Sequence, residues 1–186
     1  LKGANLGPTR QDLAEASVED LRRDIALARD ANLDLIRVHA HITRPEFYDA
    51  ADEAGMVVWQ DFPLHRGYAR SIRKQAQRQA REAVDLLAHH PSVAIWCAHD
   101  EPMAIDRDPA AGPEDSIAPA KYLAAQTVPS WNRTILDRSV KRAIDKADGT
   151  RPVIAHSGVL PHPPQLDGTD SHFSFGWQHG DVRDLA

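Results

Sequence analysis

The sequence predicts an α/β fold, a (β/α)8 TIM barrel that is incomplete in this chain, with about six of the eight β/α units present. Three observations predict it. Short apolar runs of strand length alternate with amphipathic helical runs, the pattern of a parallel sheet joined by helical crossovers. No strand run leads into a G-x-G-x-x-G loop; Asn5-Leu6-Gly7-Pro8-Thr9 lacks that spacing, so an open dinucleotide-binding sheet loses its main support. A closed barrel takes about 250 residues. Six strand runs within 186 residues, stopping at Asp184-Leu185-Ala186, therefore fit a barrel without its last two units.

The elements follow in order. Lys2-Gly3-Ala4-Asn5-Leu6 reads as the first strand. Ser17 is a good N-cap with an acid three residues on, and Val18, Leu21, Ile25 and Ala28 share one face of the helix it opens. Asp34 to His39 is short and β-branched, follows the helix terminator Asn32, and reads as a buried strand. Thr43-Arg44-Pro45-Glu46 predicts a capping box with Thr43 as N-cap, and Gly55 stops that helix before the strand Met56 to Asp61. A long helix spans about Ser71 to His89, with Ile72, Ala76, Ala80, Val84 and Leu87 inward. His90-Pro91 breaks it ahead of the strand Ser92 to Cys97. The polar, Pro-rich insertion at about 102–119 has the length of a lid or binding loop. A helix near Asn132 to Ala147, closed by Gly149, leads to a strand at Arg151 to His156; Leu160 to Gly168 is loop, and Ser171 to Trp177 a sixth strand.

Composition narrows the partners. With 42% hydrophobic and 26% charged residues the chain has material for one sizeable core. A formal net charge of -5 offers no broad basic field to a nucleic acid, and no basic amphipathic face meets a membrane. No apolar run approaches the roughly 20 residues of a bilayer span, and Leu1-Lys2-Gly3 lacks the features of a signal peptide, so the chain is expected to begin inside a longer protein. Cys97, the single cysteine, excludes an internal disulfide framework and reads as a buried strand thiol. A neutral small molecule is the expected partner.

The strand ends carry Asn5; Arg37, His39 and His41; Trp59 and Asp61; His99, Asp100 and Glu101; His156; and His172 with Trp177. Singly, each is ordinarily a packing or surface residue. Together on one rim they describe a binding site, because barrels build their sites at the carboxyl ends of the strands.

The segments Lys2-Gly3-Ala4-Asn5, Val58-Trp59-Gln60-Asp61-Phe62 and His90-Pro91-Ser92-Val93-Ala94-Ile95-Trp96-Cys97-Ala98-His99-Asp100-Glu101 resemble the catalytic barrel of glycoside hydrolase family 2. The nearest branch is the β-mannosidase and exo-β-glucosaminidase group, and the resemblance covers nearly the whole chain. It implies a retaining, exo-acting β-glycosidase for β-mannosides or related β-glycosides, with Glu101 as general acid/base. Asn5, Arg37, His39, Trp59, Asp61, Asp100, His172 and Trp177 are the implied substrate-binding residues. The resemblance further implies a carbohydrate substrate, no cofactor, no metal, and β-sandwich domains elsewhere in the full-length protein. Retaining chemistry needs a second carboxylate about 5 Å away as nucleophile. In the family a glutamate ending the seventh strand supplies it, which is expected outside this chain, so the chain alone is expected to be inactive.

The chain departs from the family pattern at Asp100, where an asparagine that meets the sugar 2-hydroxyl is usual. An ionised Asp accepts from a hydroxyl but does not donate. On an extended segment, Asp100 and Glu101 would point apart. Arg37-Val38-His39-Ala40-His41 also differs from the glycine-rich second strand of typical mannosidases. Two rival readings stand beside this one. His39-Ala40-His41 with His156 and His172 resembles the metal site of amidohydrolase barrels; alternatively, the change to Asp100 marks a non-catalytic carbohydrate-binding relative.

Overall fold

The computed structural model describes residues 1–102 and 129–159. Five strands, β1 (Gly3–Leu6), β2 (Leu35–Val38), β3 (Val57–Asp61), β4 (Val93–Cys97) and β5 (Val153–Ile154), form one parallel sheet in the order β1-β2-β3-β4-β5. Parallel neighbours require crossovers, which are the helices α1 (Val18–Asp30), α2 (Pro45–Ala54) and α3 (Arg73–Leu87), and α4 (Asp137–Ala147) ahead of β5. A π-helical turn, Trp131–Leu136, leads into α4. The sixth strand expected at Ser171 to Trp177 and the body of the expected insertion lie outside the described residues.

The helix boundaries follow from local chemistry. Ser17 caps α1 through a full capping box: its hydroxyl accepts from the Asp20 amide at 3.1 Å, and the Asp20 carboxylate accepts from the Ser17 amide at 3.1 Å. The box expected at Thr43 does not form. Arg44 is the N-cap of α2 and Pro45 holds the first helical position, which leaves Glu46 one residue short of the place from which it could reach back. It pairs with Arg44 instead, at 2.6 Å. Gly55 ends α2 in the left-handed conformation, φ 64°. Gly3 serves a different need, since a Cβ there would lie 2.9 Å from Leu35 Cδ2 and 3.1 Å from its carbonyl oxygen, closing the gap between β1 and β2.

The two faces of the sheet differ in chemistry. Ile36, Val38, Val58, Val93 and Trp96 join Leu21, Ile25, Phe47, Ala80, Val84, Leu87, Val140 and Ile144 of the helices in one buried cluster. The polar members of that layer are bonded: Tyr48 donates to Gln60 at 2.6 Å, and Trp96 Nε1 donates to Asp148 at 2.9 Å. The residues between them, Arg37 on β2 and Trp59 and Asp61 on β3, turn to the other face, because successive side chains of a strand alternate. That polar face carries the site.

Candidate active site

In the parallel register Asn5 pairs with Arg37 and Arg37 with Trp59, so three of the expected residues stand at one level of adjacent strands. Asp61 follows two residues on, on the same face. Arg37 is 6% exposed, and its guanidinium lies between the carboxylates of two fully buried residues, Asp61 and Asp100. Its Nε donates to both Asp61 oxygens at 3.1 and 3.0 Å, and its Nη2 reaches Asp61 at 2.9 Å and Asp100 Oδ1 at 2.7 Å. It also lies 5.2 Å from the centre of the Trp59 ring. Trp59 Nε1 and the Ala40 amide complete the donors to Asp61, at 3.0 and 3.1 Å.

Asp100 organises the other half. Its amide donates to the Leu64 carbonyl at 2.8 Å and its carbonyl accepts from the Arg66 amide at 3.0 Å, which draws the segment after β3 alongside the end of β4. Its Oδ2 then accepts from two imidazoles, His39 Nε2 at 2.8 Å and His65 Nδ1 at 2.7 Å. Glu101 follows at once, its amide donating to the Ser157 carbonyl beyond β5 at 2.8 Å.

The backbone is bent to achieve this. Among the described residues, four that are not glycine have positive φ; one, Asn32, follows α1, and the others are Ala40 (53°), Arg66 (64°) and Glu101 (43°). Each of these three directly follows a member of the His39, His65, Asp100 cluster. The left-handed region is costly for residues with a Cβ and concentrates where side chains are held for a purpose. The extended segment that the sequence suggested for Asp100 and Glu101 therefore ends at Asp100, and Glu101 turns out of it.

Charge follows from this packing. Burial pushes the Asp100 carboxyl up, but the hydrogen bonds from His39 and His65 and the charge of Arg37 outweigh it and hold it far below the usual carboxylate range. Burial, with the charge of Asp100, raises the Asp61 carboxyl above its ordinary value against the opposing pull of Arg37. The bond to Asp100 raises His39, whereas burial lowers His41. His99 is buried and pushed down to about 4 by burial; its Nε2 donates to the Arg66 carbonyl at 2.8 Å.

A cleft of about 440 Å³ opens beside this network, lined by Gly3, Ala4, Asn5, Leu35, Arg37, Trp59 and Ser157. Ser157 comes after β5 and Asn5 belongs to β1, so residues from both ends of the strand order border one hollow.

The structure thus gathers Arg37, His39, Trp59, Asp61 and Asp100, with Asn5 at the cleft and the Glu101 backbone at the rim. Among the described residues it does not gather the histidines of the rival metal reading. His41 Nδ1 donates to the His39 carbonyl at 2.9 Å, and His156 pairs with Asp137 at 2.8 Å. His172 and Trp177 lie outside the described residues. Asp100, expected at a sugar hydroxyl, is enclosed by its donors. His65 was missed by sequence reasoning; the signal that could have found it is its place four residues beyond Asp61 in the segment leaving β3.

No family model matches the chain. A β-mannosidase of Rattus norvegicus is 28% identical over 193 residues, covering 98% of this chain and 20% of its own length. A β-mannosidase B of Thermothelomyces thermophilus is 38% identical over 82 residues, covering 41% of the chain and 10% of its own length. Among solved structures, a β-D-mannosidase from Dictyoglomus thermophilum superposes with a TM-score of 0.70 at 20% identity, over 95% of this chain and 21% of its own. An FMN-binding β-glucuronidase from Facaelibacterium prausnitzii gives 0.66 at 21% identity, over 99% and 26%. These superpositions show the fold. The chain spans 20% of the length of the rat relative.

Proposed function

We propose that this chain, a relative of the β-mannosidases of glycoside hydrolase family 2, supplies the acid/base part of a retaining, exo-acting β-glycosidase site on a (β/α)8 barrel, for β-mannosides or related β-glycosides. The observation that carries the reading is the placement of Glu101: it leaves the carboxyl end of β4 in a left-handed conformation, on the rim where Arg37, His39, Asp61 and Asp100 converge. Strands in sequential parallel order, and a cleft bordered by both β1 and the residue after β5, support a sheet curled toward closure.

In this mechanism Glu101 protonates the glycosidic oxygen as the leaving group departs, then as a carboxylate takes a proton from the water that releases the sugar. The second carboxylate stands about 5 Å away in retaining enzymes. Asp61 and Asp100 are buried and bound to Arg37, which rules both out for that part, and the nucleophile is assigned outside the described residues. Asn5 and Trp59 at the cleft, with His172 and Trp177, contact the sugar. Asp100 acts through His39 and His65, fixing which ring nitrogen each turns outward.

The test is Glu101→Gln in the intact protein that carries this chain, assayed on β-mannosides with good and poor leaving groups. Poor leaving groups should lose about 10²–10⁴-fold in rate, activated aryl glycosides should retain glycosyl-enzyme formation, and azide added to Glu101→Ala should yield a β-glycosyl azide. Equal slowing of both substrates with no azide product refutes Glu101 as acid/base, and no hydrolysis by the wild type favours a carbohydrate-binding relative.

A further inference from the structure

We propose, resting on the glycosidase reading for the class of ligand, that Arg66 binds a carboxylate carried by the glycoside. Acidic β-glycosides, with a uronic acid as the sugar or a carboxylate on the leaving group, are then the preferred substrates of this rim.

The backbone of Arg66 is fixed beside the proposed acid/base. Its amide donates to the Asp100 carbonyl at 3.0 Å, and its carbonyl accepts from His99 Nε2 at 2.8 Å, so it is tied to both residues that precede Glu101. The neighbouring His65 is bonded to the same Asp100 through Nδ1, at 2.7 Å. In this position Arg66 takes φ 64°, a conformation that is costly for a residue with a Cβ. Glycine would make the same backbone bonds without strain. The bonds therefore account for the conformation but not for the arginine.

The side chain supplies the missing reason. Arg66 is partly buried, and its Nε is closed to solvent without a hydrogen-bond partner. Among the described residues no carboxylate pairs with its guanidinium, and the terminal nitrogens, neither bonded nor closed off, are left for a ligand to reach. Withdrawing part of a cation from water without a counter-charge is unfavourable. Arg37, Arg44 and Arg151, also withdrawn from water in part or in full, each meet a carboxylate: Asp61 with Asp100, Glu46, and Asp148. Arg23, Arg81 and Arg142 have no carboxylate partner but are exposed, where water serves them. Strain and an unmet charge thus coincide at one residue beside the acid/base, and a bound anion answers the second.

The terminal N–H groups of a guanidinium form a planar fork that matches the two oxygens of a carboxylate. A chain with a formal net charge of -5 exerts no general pull on anions, so a preference for acidic glycosides has to come from a local cation. Arg37 is committed to Asp61 and Asp100, which leaves Arg66. The carboxylate has two sources, the sugar or the leaving group, because the acid/base acts on the oxygen between them.

The experiment uses the intact protein that carries this chain and three nitrophenyl β-mannosides: the neutral one, one oxidised to the uronic acid, and one with a carboxylate on the nitrophenyl ring. Turnover is measured beside calorimetric binding of the three corresponding thioglycosides, which are not cleaved. In the wild type one acidic glycoside should exceed the neutral one by about 10–100-fold in kcat/KM and in affinity, and which one does so identifies the source. Arg66→Gln should abolish that ratio, and Arg66→Lys should keep part of it, since an ammonium retains the charge without the fork. Arg81→Gln, on the exposed face of α3, should leave it unchanged. If Arg66→Gln does not fold, the partial loss in Arg66→Lys decides. If the wild type hydrolyses none of the three, the glycosidase reading fails and the thioglycoside affinities still decide the part of Arg66. No preference in the wild type, or a preference that survives Arg66→Gln, overturns the proposal. A fall in melting temperature with the ratio intact also overturns it, because Arg66 is then a structural brace.

Discussion

Replacing Arg37 by Met tests the network on which the site is built. The substitution keeps an unbranched apolar stem and removes the guanidinium that lies between Asp61 and Asp100, both fully buried. Removing one partner of a buried ion pair costs about 3–5 kcal/mol, because the remaining charge has lost both its water and its counter-ion. Two considerations place the effect within that range rather than above it: Asp100 keeps its bonds from His39 and His65, and Asp61 keeps those from Trp59 and the Ala40 amide. At about 2–4 °C per kcal/mol for a chain of this size, the melting temperature should fall by about 6–20 °C at pH 7. Asp61 is already raised by burial and would rise further without Arg37. It therefore takes up a proton as pH falls, so the gap between wild type and variant should narrow on acidification. Urea and thermal unfolding of the wild type, Arg37→Met, and Arg37→Met with Asp61→Asn read all of this, and the double variant should recover part of the loss at pH 7. A cost below about 1 kcal/mol, the scale of exposed ion pairs, or a gap that does not change with pH, would refute the account of the rim as a charge network held by Arg37.

Two further outcomes follow from single residues. His99 is buried with its pKa lowered from 6.5 to about 4, so the unfolded chain binds the proton first, and stability should fall by up to about 3 kcal/mol as pH drops through that window. His99→Gln, measured by urea midpoints across the same range, should flatten that decline; an unchanged slope would show that another group carries it. Ser17→Ala removes half of the α1 capping box and should cost about 1 kcal/mol, seen as a small drop in melting temperature; an unchanged melting temperature would show that the box contributes nothing.

Much of this architecture is legible in the sequence because its causes are local. Ser17 with Asp20, the Leu21 and Ile25 spacing, and Gly55 are each decided within one turn of helix. The polar face was readable for a similar reason: Trp59 and Asp61 are two apart on one strand, and Arg37 interrupts an otherwise apolar run. What failed depended on register or on distance. Thr43 and Glu46 carry the residue types of a capping box, but Pro45 sets the helix start where the box cannot close. His65 stands in a connecting segment, where no periodicity marks a residue's direction, and its partner Asp100 is 35 residues away. The inward turn of Asp100 was hidden because it rests on a left-handed residue at Glu101, a type that does not announce the conformation as glycine would.

That last point bears on how the rim came to have its present form. A glycine after each of His39, His65 and Asp100 would adopt the observed φ without strain, yet the chain places Ala40, Arg66 and Glu101 there. Such positions cost of order 1–3 kcal/mol each and persist only where the surroundings over-determine them. Here the surroundings do so: the Ala40 amide is bonded to Asp61, the Arg66 amide to the Asp100 carbonyl, and the Glu101 amide to the Ser157 carbonyl. For Glu101 the reason to accept strain is its side chain, since glycine would relieve the backbone and delete the carboxylate that the proposed chemistry requires. Local preference and global placement conflict at this residue, and functional sites are where that conflict is tolerated. The strained turn separates two adjacent carboxylates: Asp100 turns inward to organise Arg37, His39 and His65, and in the proposed reading Glu101 is left to serve the substrate.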